Sequence, residues 1–267
     1  MIETSSGHVI PPGAEARLNA GISRYYTRYY RDVLALPGWQ ERVAGRLTEE
    51  RVGSRQTSSI ERVVGSFAGR RLLNVGCGTG GFNVAAERAG ARTCGIDASE
   101  EAVAICGLRS ALQTGGRYAV AEAEGLPFRD ASFDLVTCLS TLEHVSDVER
   151  SLTEMLRVLS PGGALFVYAP SGWTLYESHY KIAWLPWFPR ALARLYLRLR
   201  GRPTGFVDTL NALSARRCRR ILEAGGARVE VLDGGDGEMM GGRLVRAYYR
   251  TLRVKPYIAL LARKPAS

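Results

Sequence analysis

The stretch Leu72–Phe82, reading LLNVGCGTGGF, limits the possible folds more than any other part of the chain. An apolar strand over Arg71–Val75 runs into three alternating glycines, Gly76, Gly78 and Gly80, and a helix-compatible run follows from Phe82 to Arg88. Glycine suits such a turn because it accepts positive φ and has no Cβ to hold a ligand off the backbone. The helix that begins there presents unpaired N–H groups to whatever lies above it. A second apolar run, Arg92–Ile96, ends on Asp97. An acidic residue about 20 positions past the glycines is suited to binding ribose hydroxyls. The pattern predicts a strand–turn–helix–strand unit that binds an adenosine-containing cofactor.

From Arg71 onward strand and helix patterns alternate, which implies a parallel sheet with helices on both faces. Strands are expected at 71–75, 92–96, 117–121, 133–138 and 163–169, with helices near 81–89, 99–112, 147–158 and 214–225. Ser160-Pro161-Gly162-Gly163 reads as a helix stop and turn. A sixth strand is expected over Arg228–Leu232 and a last one over Tyr257–Ala262.

Gly76, Gly78 and Gly81 also satisfy G-x-G-x-x-G, a string that by itself fits a nicotinamide dinucleotide. Three features point elsewhere. Some seventy helix-like residues precede the first strand. A second acidic site, Glu122-Ala123, follows the third strand. Then come AEGLPFRDASFDLVTCLSTLEHVSD, Ala123–Asp147, and LRVLSPGGALFVYAPS, Leu156–Ser171. This ordered series resembles the class I S-adenosylmethionine-dependent methyltransferases, in the branch with quinone-biosynthesis, natural-product and sugar methyltransferases. The resemblance covers roughly Ile60–Asp233.

The resemblance implies an α/β fold: a doubly wound, seven-stranded, mostly parallel sheet with one antiparallel strand, the Tyr257–Ala262 strand lying between the fifth and sixth. It implies a helical cap over residues 1–60, and a core over 61–267 carrying a lid insertion at about 171–213. It also implies S-adenosyl-L-methionine as cofactor, with S-adenosyl-L-homocysteine as product. Gly76, Gly78 and Gly80 would pass under the methionine and ribose parts. Asp97 would take the ribose hydroxyls, with Ala98 beside it. Glu122 and Ala123 would lie near the adenine amino group, and Leu139 would offer its backbone. Arg55, about twenty residues before the turn, matches an arginine that in some relatives holds the cofactor carboxylate, since a guanidinium forks onto a carboxylate. Arg51 competes for that role, and an ordinary surface arginine is the alternative. Two positions depart from the pattern. Asn74 stands where an acid is usual, and Glu122 replaces the commoner Asp.

For methyl transfer to a hydroxyl the protein must supply position and a base. His144, in TLEHVSD, follows the fourth strand at the edge where ligands sit, and an imidazole suits proton removal. A histidine that only orders its loop is the plainer alternative. His179, in ESHYK, is the second candidate. Its Glu177-x-His179 pair invites a metal reading, but two ligands do not make a site, so no metal is expected.

The net charge of +10 is uneven: residues 171–267 hold 18 Lys and Arg against 7 Asp and Glu. A basic region favours an anionic neighbour, either a lipid headgroup, an acidic acceptor or nucleic acid. A solubilising arginine surface explains the excess equally well. Nucleic acid is disfavoured, because no N/D-P-P-Y/F-type string or separate recognition module is present. Tyr25, Tyr26, Tyr29 and Tyr30 share a helix face, to pack on the sheet edge or to cap the acceptor pocket. Within the lid, Arg190, Arg194 and Arg198 fall on one face, and Leu192, Leu195, Tyr196 and Leu199 on the other. With Trp184, Trp187 and Phe188 before it, residues 184–202 form a basic amphipathic element that either packs as a lid or lies on a membrane surface. Met1–Gly13 lacks the apolar run of a signal peptide, and the five cysteines lack C-x-x-C spacing. The expectation is a cytoplasmic enzyme, or one at the membrane surface, methylating a small, glycan or lipid-like acceptor at oxygen. A nucleic-acid methyltransferase and a non-methylating relative are the alternatives.

Overall fold

The computed structural model describes residues 13–113, 115–233 and 243–266. A seven-stranded sheet forms the middle layer. Its strands are β1 (Arg71–Val75), β2 (Arg92–Asp97), β3 (Arg117–Val120), β4 (Phe133–Leu139), β5 (Leu159–Pro170), β8 (Arg228–Val231) and β9 (Tyr257–Arg263). Across the sheet they run β3-β2-β1-β4-β5-β9-β8, and only β9 pairs antiparallel with its neighbours. The order reverses between β1 and β4, which opens a crevice at the carboxyl ends of these strands. The central strands are mostly apolar because helices cover both faces. Leu72, Leu73, Leu135, Val136, Leu165 and Val167 are all fully buried.

The helices follow the expected alternation: α4 (Gly81–Arg88), α5 (Glu100–Gln113), α6 (Val148–Val158) and α8 (Ala215–Ala224). Asp147 caps α6, its carboxylate accepting the N–H groups of Glu149 and Arg150, which satisfies two orphan donors of the first turn. One boundary differs from expectation. The predicted turn Ser160–Gly163 lies inside β5, because Leu159 already pairs with Phe133 before the register jumps to Leu135–Ala164. Gly162, at φ 75°, lets the chain bulge there and rejoin the sheet.

Before β1 come α1 (Ala14–Thr27), a π-helical turn at Arg28–Val33, α2 (Trp39–Arg46) and α3 (Glu49–Val64). α3 runs across the expected boundary at residue 60. After β5 the insertion forms a small hairpin, β6 (Tyr176–Glu177) with β7 (Ile182–Ala183), then α7 (Arg190–Leu199) and a 3-10 turn at Phe206–Thr209. The two additions share one apolar cluster: Leu18, Ile22, Tyr26 and Tyr30 pack with Tyr180, Ile182, Leu197 and Val207. The segment before β1 and the insertion after β5 therefore share one apolar core. The glycine-rich stretch 234–242 lies outside the described residues, and α9 (Arg243–Leu252) comes after it in the chain. No helix among the described residues is long and apolar enough to cross a membrane.

Candidate functional site

Two cavities lie near the carboxyl edge of the sheet. The first is the crevice, about 360 Å³, walled by Gly76, Gly78, Asp97, Ala98, Glu122, Ala123 and His144, with Tyr25, Tyr29 and Phe206 above. Gly76, Gly78 and Gly80 all have positive φ, at 74°, 53° and 87°. Gly76 and Cys77 both donate their N–H to the Ile96 carbonyl at 2.8 Å, which locks the turn onto β2. A Cβ on Gly78 would stand in the open crevice, with only the Tyr26 hydroxyl as near as 4.0 Å. Bare backbone thus faces the space a ligand would fill.

Asp97 is fixed at that wall. Its Oδ2 accepts the Gly78 N–H at 2.8 Å and its Oδ1 accepts the Ser99 N–H at 3.0 Å. Each carboxylate oxygen has a second lone pair, so both can still accept from a diol. Gly80 lies outside the crevice lining: it caps α4, and its Cβ would meet Cys106 Sγ at 3.1 Å. Asn74, 2 % exposed, also lies below the crevice. Its amide donates to Asn83 Oδ1 at 2.8 Å and accepts from Thr137 at 3.1 Å. A neutral amide suits that buried network, where an unpaired charge would be costly.

Two predicted residues line a different groove. Arg55 is exposed on α3, and its groove is shared with the Leu139 side chain, Phe166 and Tyr168. The Leu139 carbonyl does reach towards the crevice wall, accepting the Thr141 hydroxyl at 3.2 Å.

The second cavity, about 290 Å³, lies under the lid. Trp184, Trp187 and Phe188 line one part and Glu143, Glu177 and His179 another. The two candidate bases stand between the cavities. His144 lines the crevice, His179 lines the lid cavity, and their rings stand edge to face with centroids 5.0 Å apart. Phe206 packs against both, at 5.6 and 5.2 Å. His179 is held by the lid hairpin: Glu177, buried, accepts its backbone N–H at 2.8 Å and lies 2.7 Å from its Nδ1. His144 is held by its own turn, with its N–H on the Thr141 carbonyl at 2.8 Å. Asn211 clamps the same loop from the lid, through the carbonyls of Glu143 and Val145 at 2.7 and 2.6 Å.

The electrostatics here are unusual. Enclosure pushes the His144 imidazole down to about 4, helped by repulsion from His179. Burial pushes the Glu143 carboxyl up to about 7. Neither oxygen of Glu143 has a hydrogen-bond partner among the described residues. Sequence reasoning missed Glu143, because nothing in the string LEHV says which of its residues turns inward. It also missed Phe206, which reaches the site only through the path of the insertion.

The tyrosine face divides between its two expected roles. Tyr30 is buried in the shared cluster, Tyr25 and Tyr29 line the crevice, and Tyr26 does both. On α7 the buried side chains are Ala193 and Leu197. Leu192, Leu195 and Leu199 are 52, 52 and 78 % exposed, so the leucine face does not pack on the domain.

Residues 73–167 match a family described as "Methyltransferase domain". An O-methyltransferase of Aspergillus sclerotiorum is 38 % identical over 151 residues, covering 53 % of this chain and 56 % of its own. A ubiquinone biosynthesis O-methyltransferase of Bordetella avium is 37 % identical over 110 residues, 40 % of this chain and 45 % of its own. The chain thus spans about half the length of these curated relatives. Among solved structures, an S-adenosylmethionine-dependent methyltransferase of Mesorhizobium loti aligns with a TM-score of 0.54 at 21 % identity, over 78 % of this chain and 96 % of its own.

Proposed function

We propose that the chain is an S-adenosylmethionine-dependent methyltransferase, a reading supported by the match of residues 73–167 to a methyltransferase domain, and that it methylates an oxygen of a small or lipid-like acceptor held under the lid. The observation that carries this reading is the His144–His179 pair, whose rings pack together while each lines one of the two cavities. When bound, the cofactor supplies a methyl carbon already activated on a sulfonium. Gly78 leaves its backbone open to that ligand, Asp97 accepts from its ribose, and Glu122 and Ala123 line the adenine end. The chain's further tasks are to place an acceptor oxygen at the junction and to see its proton removed.

His179 is the better-placed base. Glu177 at Nδ1 fixes the ring and leaves Nε2 towards the junction. His144 borders the crevice and closes the junction from that side. The aromatic lining formed by Trp184, Trp187 and Phe188 suits a ring or an acyl chain.

A lipid-like acceptor is favoured by the lid's outer face. Leu192, Leu195 and Leu199 form an exposed i, i+3, i+7 stripe on α7, bordered by Arg198 and followed by Arg200. That combination suits insertion at an anionic membrane surface, with the lid cavity just beneath.

The test is incubation of the full chain with methyl-labelled cofactor and phenolic, glycan and lipid-extract acceptors, read by mass spectrometry. Label on an oxygen, lost in His179→Gln while cofactor binding persists, is the expected outcome. Saturable cofactor binding without transfer to any acceptor class would favour the non-methylating alternative.

A further inference from the structure

We propose that Glu143, His144 and His179 form a binding site for one divalent first-row transition-metal ion, at the junction of the two cavities. One ligand atom from each lies within 4.8 Å of the others. They come from separate elements: Glu143 and His144 from the turn after β4, and His179 from the lid hairpin. The Glu177-x-His179 pair alone lacks a third donor, and the fold brings two.

Three observations point to a cation. First, Glu143 is 2 % exposed and neither carboxylate oxygen has a hydrogen-bond partner among the described residues. A buried carboxylate without donors is costly, and such groups are ordinarily paired or bound to a metal. The nearby His144 Nε2, 3.9 Å from Glu143 Oε1, is too distant to hydrogen-bond.

Second, Glu177 engages His179 Nδ1 at 2.7 Å. A carboxylate on one imidazole nitrogen orients the ring and raises the basicity of the other nitrogen, the usual support of a metal-bound histidine. Glu177 is itself held by the Tyr180 N–H, so the support is rigid.

Third, the donor set is selective. Two imidazoles and one carboxylate suit zinc, cobalt, manganese or iron, whereas magnesium and calcium prefer oxygen ligands. Bonds of about 2.0–2.2 Å set donors roughly 3.0–3.5 Å apart. The three atoms, now within 4.8 Å of one another, must therefore close by up to roughly 1.3–1.8 Å on binding.

Ion binding itself does not depend on the methyl-transfer reading; its consequence does. His144 borders the crevice and His179 the lid cavity, so the open coordination positions face both. An acceptor hydroxyl bound there would ionise at neutral pH: its O–H bond breaks, the electron pair stays on oxygen and the proton passes to water. With the ion on Nε2, His179 serves as ligand and the ion takes over the activation that the free imidazole otherwise provides.

The test uses the full chain, freed of metal with a chelator. Zn²⁺ binding is followed by calorimetry and Co²⁺ binding by visible absorption, with Mg²⁺ as control. The expected result is one Zn²⁺ per chain and a saturable Co²⁺ spectrum, both insensitive to Mg²⁺. Glu143→Gln and His179→Gln should each weaken Zn²⁺ binding by at least about tenfold. Equal Zn²⁺ affinity in the wild type and both variants, or no saturable Co²⁺ spectrum in the wild type, would overturn the proposal. His144→Gln gives a third comparison should one variant misfold. Cofactor binding measured on the same metal-free samples tests the methyl-transfer reading separately, so either can fail without the other.

Discussion

Asp97 Oδ2 accepts the Gly78 N–H at 2.8 Å, which ties the acidic end of β2 to the glycine turn after β1. The residue expected to hold the ribose therefore also orders the backbone that runs beneath it. The Ser99 N–H on Oδ1 completes the clamp and starts α5 in register. An aspartate with both oxygens anchored loses little freedom when a ligand arrives, so more of each hydrogen bond appears as affinity.

Asp97→Asn should separate these two roles. The amide retains one acceptor oxygen but presents a donor where a diol needs an acceptor. Hydrogen bonds to a charged group are worth about 1.5–3 kcal/mol, so cofactor affinity should fall roughly 10- to 150-fold. Calorimetric titration reads this directly. An unchanged dissociation constant would remove Asp97 from the cofactor site.

Gly76→Ala should disturb the turn for two reasons. A left-handed residue with a Cβ costs about 1–2 kcal/mol, and here φ is 74°. The new Cβ would also lie 2.0 Å from Thr141 Oγ1 and 2.6 Å from Thr141 Cβ. Only the second effect disappears when Thr141 loses its whole side chain. A denaturant-melting cycle of Gly76→Ala with Thr141→Gly should therefore show a coupling of about 1 kcal/mol or more. Strict additivity would mean that the turn moves instead of clashing.

Much of this was legible in the sequence, for a physical reason. Strand β1, the three glycines and Asp97 are local: alternation of apolar runs with glycine and acid fixes them within some thirty residues, and parallel sheets have few possible orders. The place of β9 between β5 and β8 came through resemblance to relatives. What stayed hidden depends on distant segments meeting. Glu143 reads as one more polar residue until Asn211 and the lid hairpin enclose it. Arg55 sits at a plausible spacing, yet the turn of α3 directs it to another groove. On α7 the arginine and leucine faces were visible, but not that the narrow Ala193–Leu197 edge would be the one to pack. The Ser160–Gly163 turn became a bulge because strand pairing at Phe133–Leu159 outweighs local turn preference.

The exposed leucines of α7 yield a prediction in which stability and binding part company. Leu192→Ser, Leu195→Ser and Leu199→Ser combined should change melting little, since exposed sites usually cost no more than about 0.5 kcal/mol each. Sedimentation with phosphatidylglycerol vesicles should nevertheless drop at least tenfold, because burying one leucine is worth about 1.5–3 kcal/mol. Vesicle binding that survives the triple change would rule out this face as the contact.

Arg109 is 1 % exposed and joins three elements. Its Nε donates to the Thr79 carbonyl at 2.8 Å, Nη1 to Glu50 at 2.7 Å and Nη2 to Glu49 at 2.8 Å. Thr79 donates its hydroxyl to the same Glu49, and Tyr26 reaches both at 3.3 and 3.5 Å. The guanidinium thus straps α3 and the cap tyrosine to the carbonyl side of the glycine turn. Removing one partner of a buried ion pair leaves the other uncompensated, at a cost of about 3–5 kcal/mol. Arg109→Met should lose that much in urea unfolding. Adding Glu49→Gln should restore part of it, because the amide no longer requires a counter-charge. If Arg109→Met instead melts within about 0.5 kcal/mol of the wild type, the strap contributes little and the glycine turn is held by its bonds to Ile96 and Asp97.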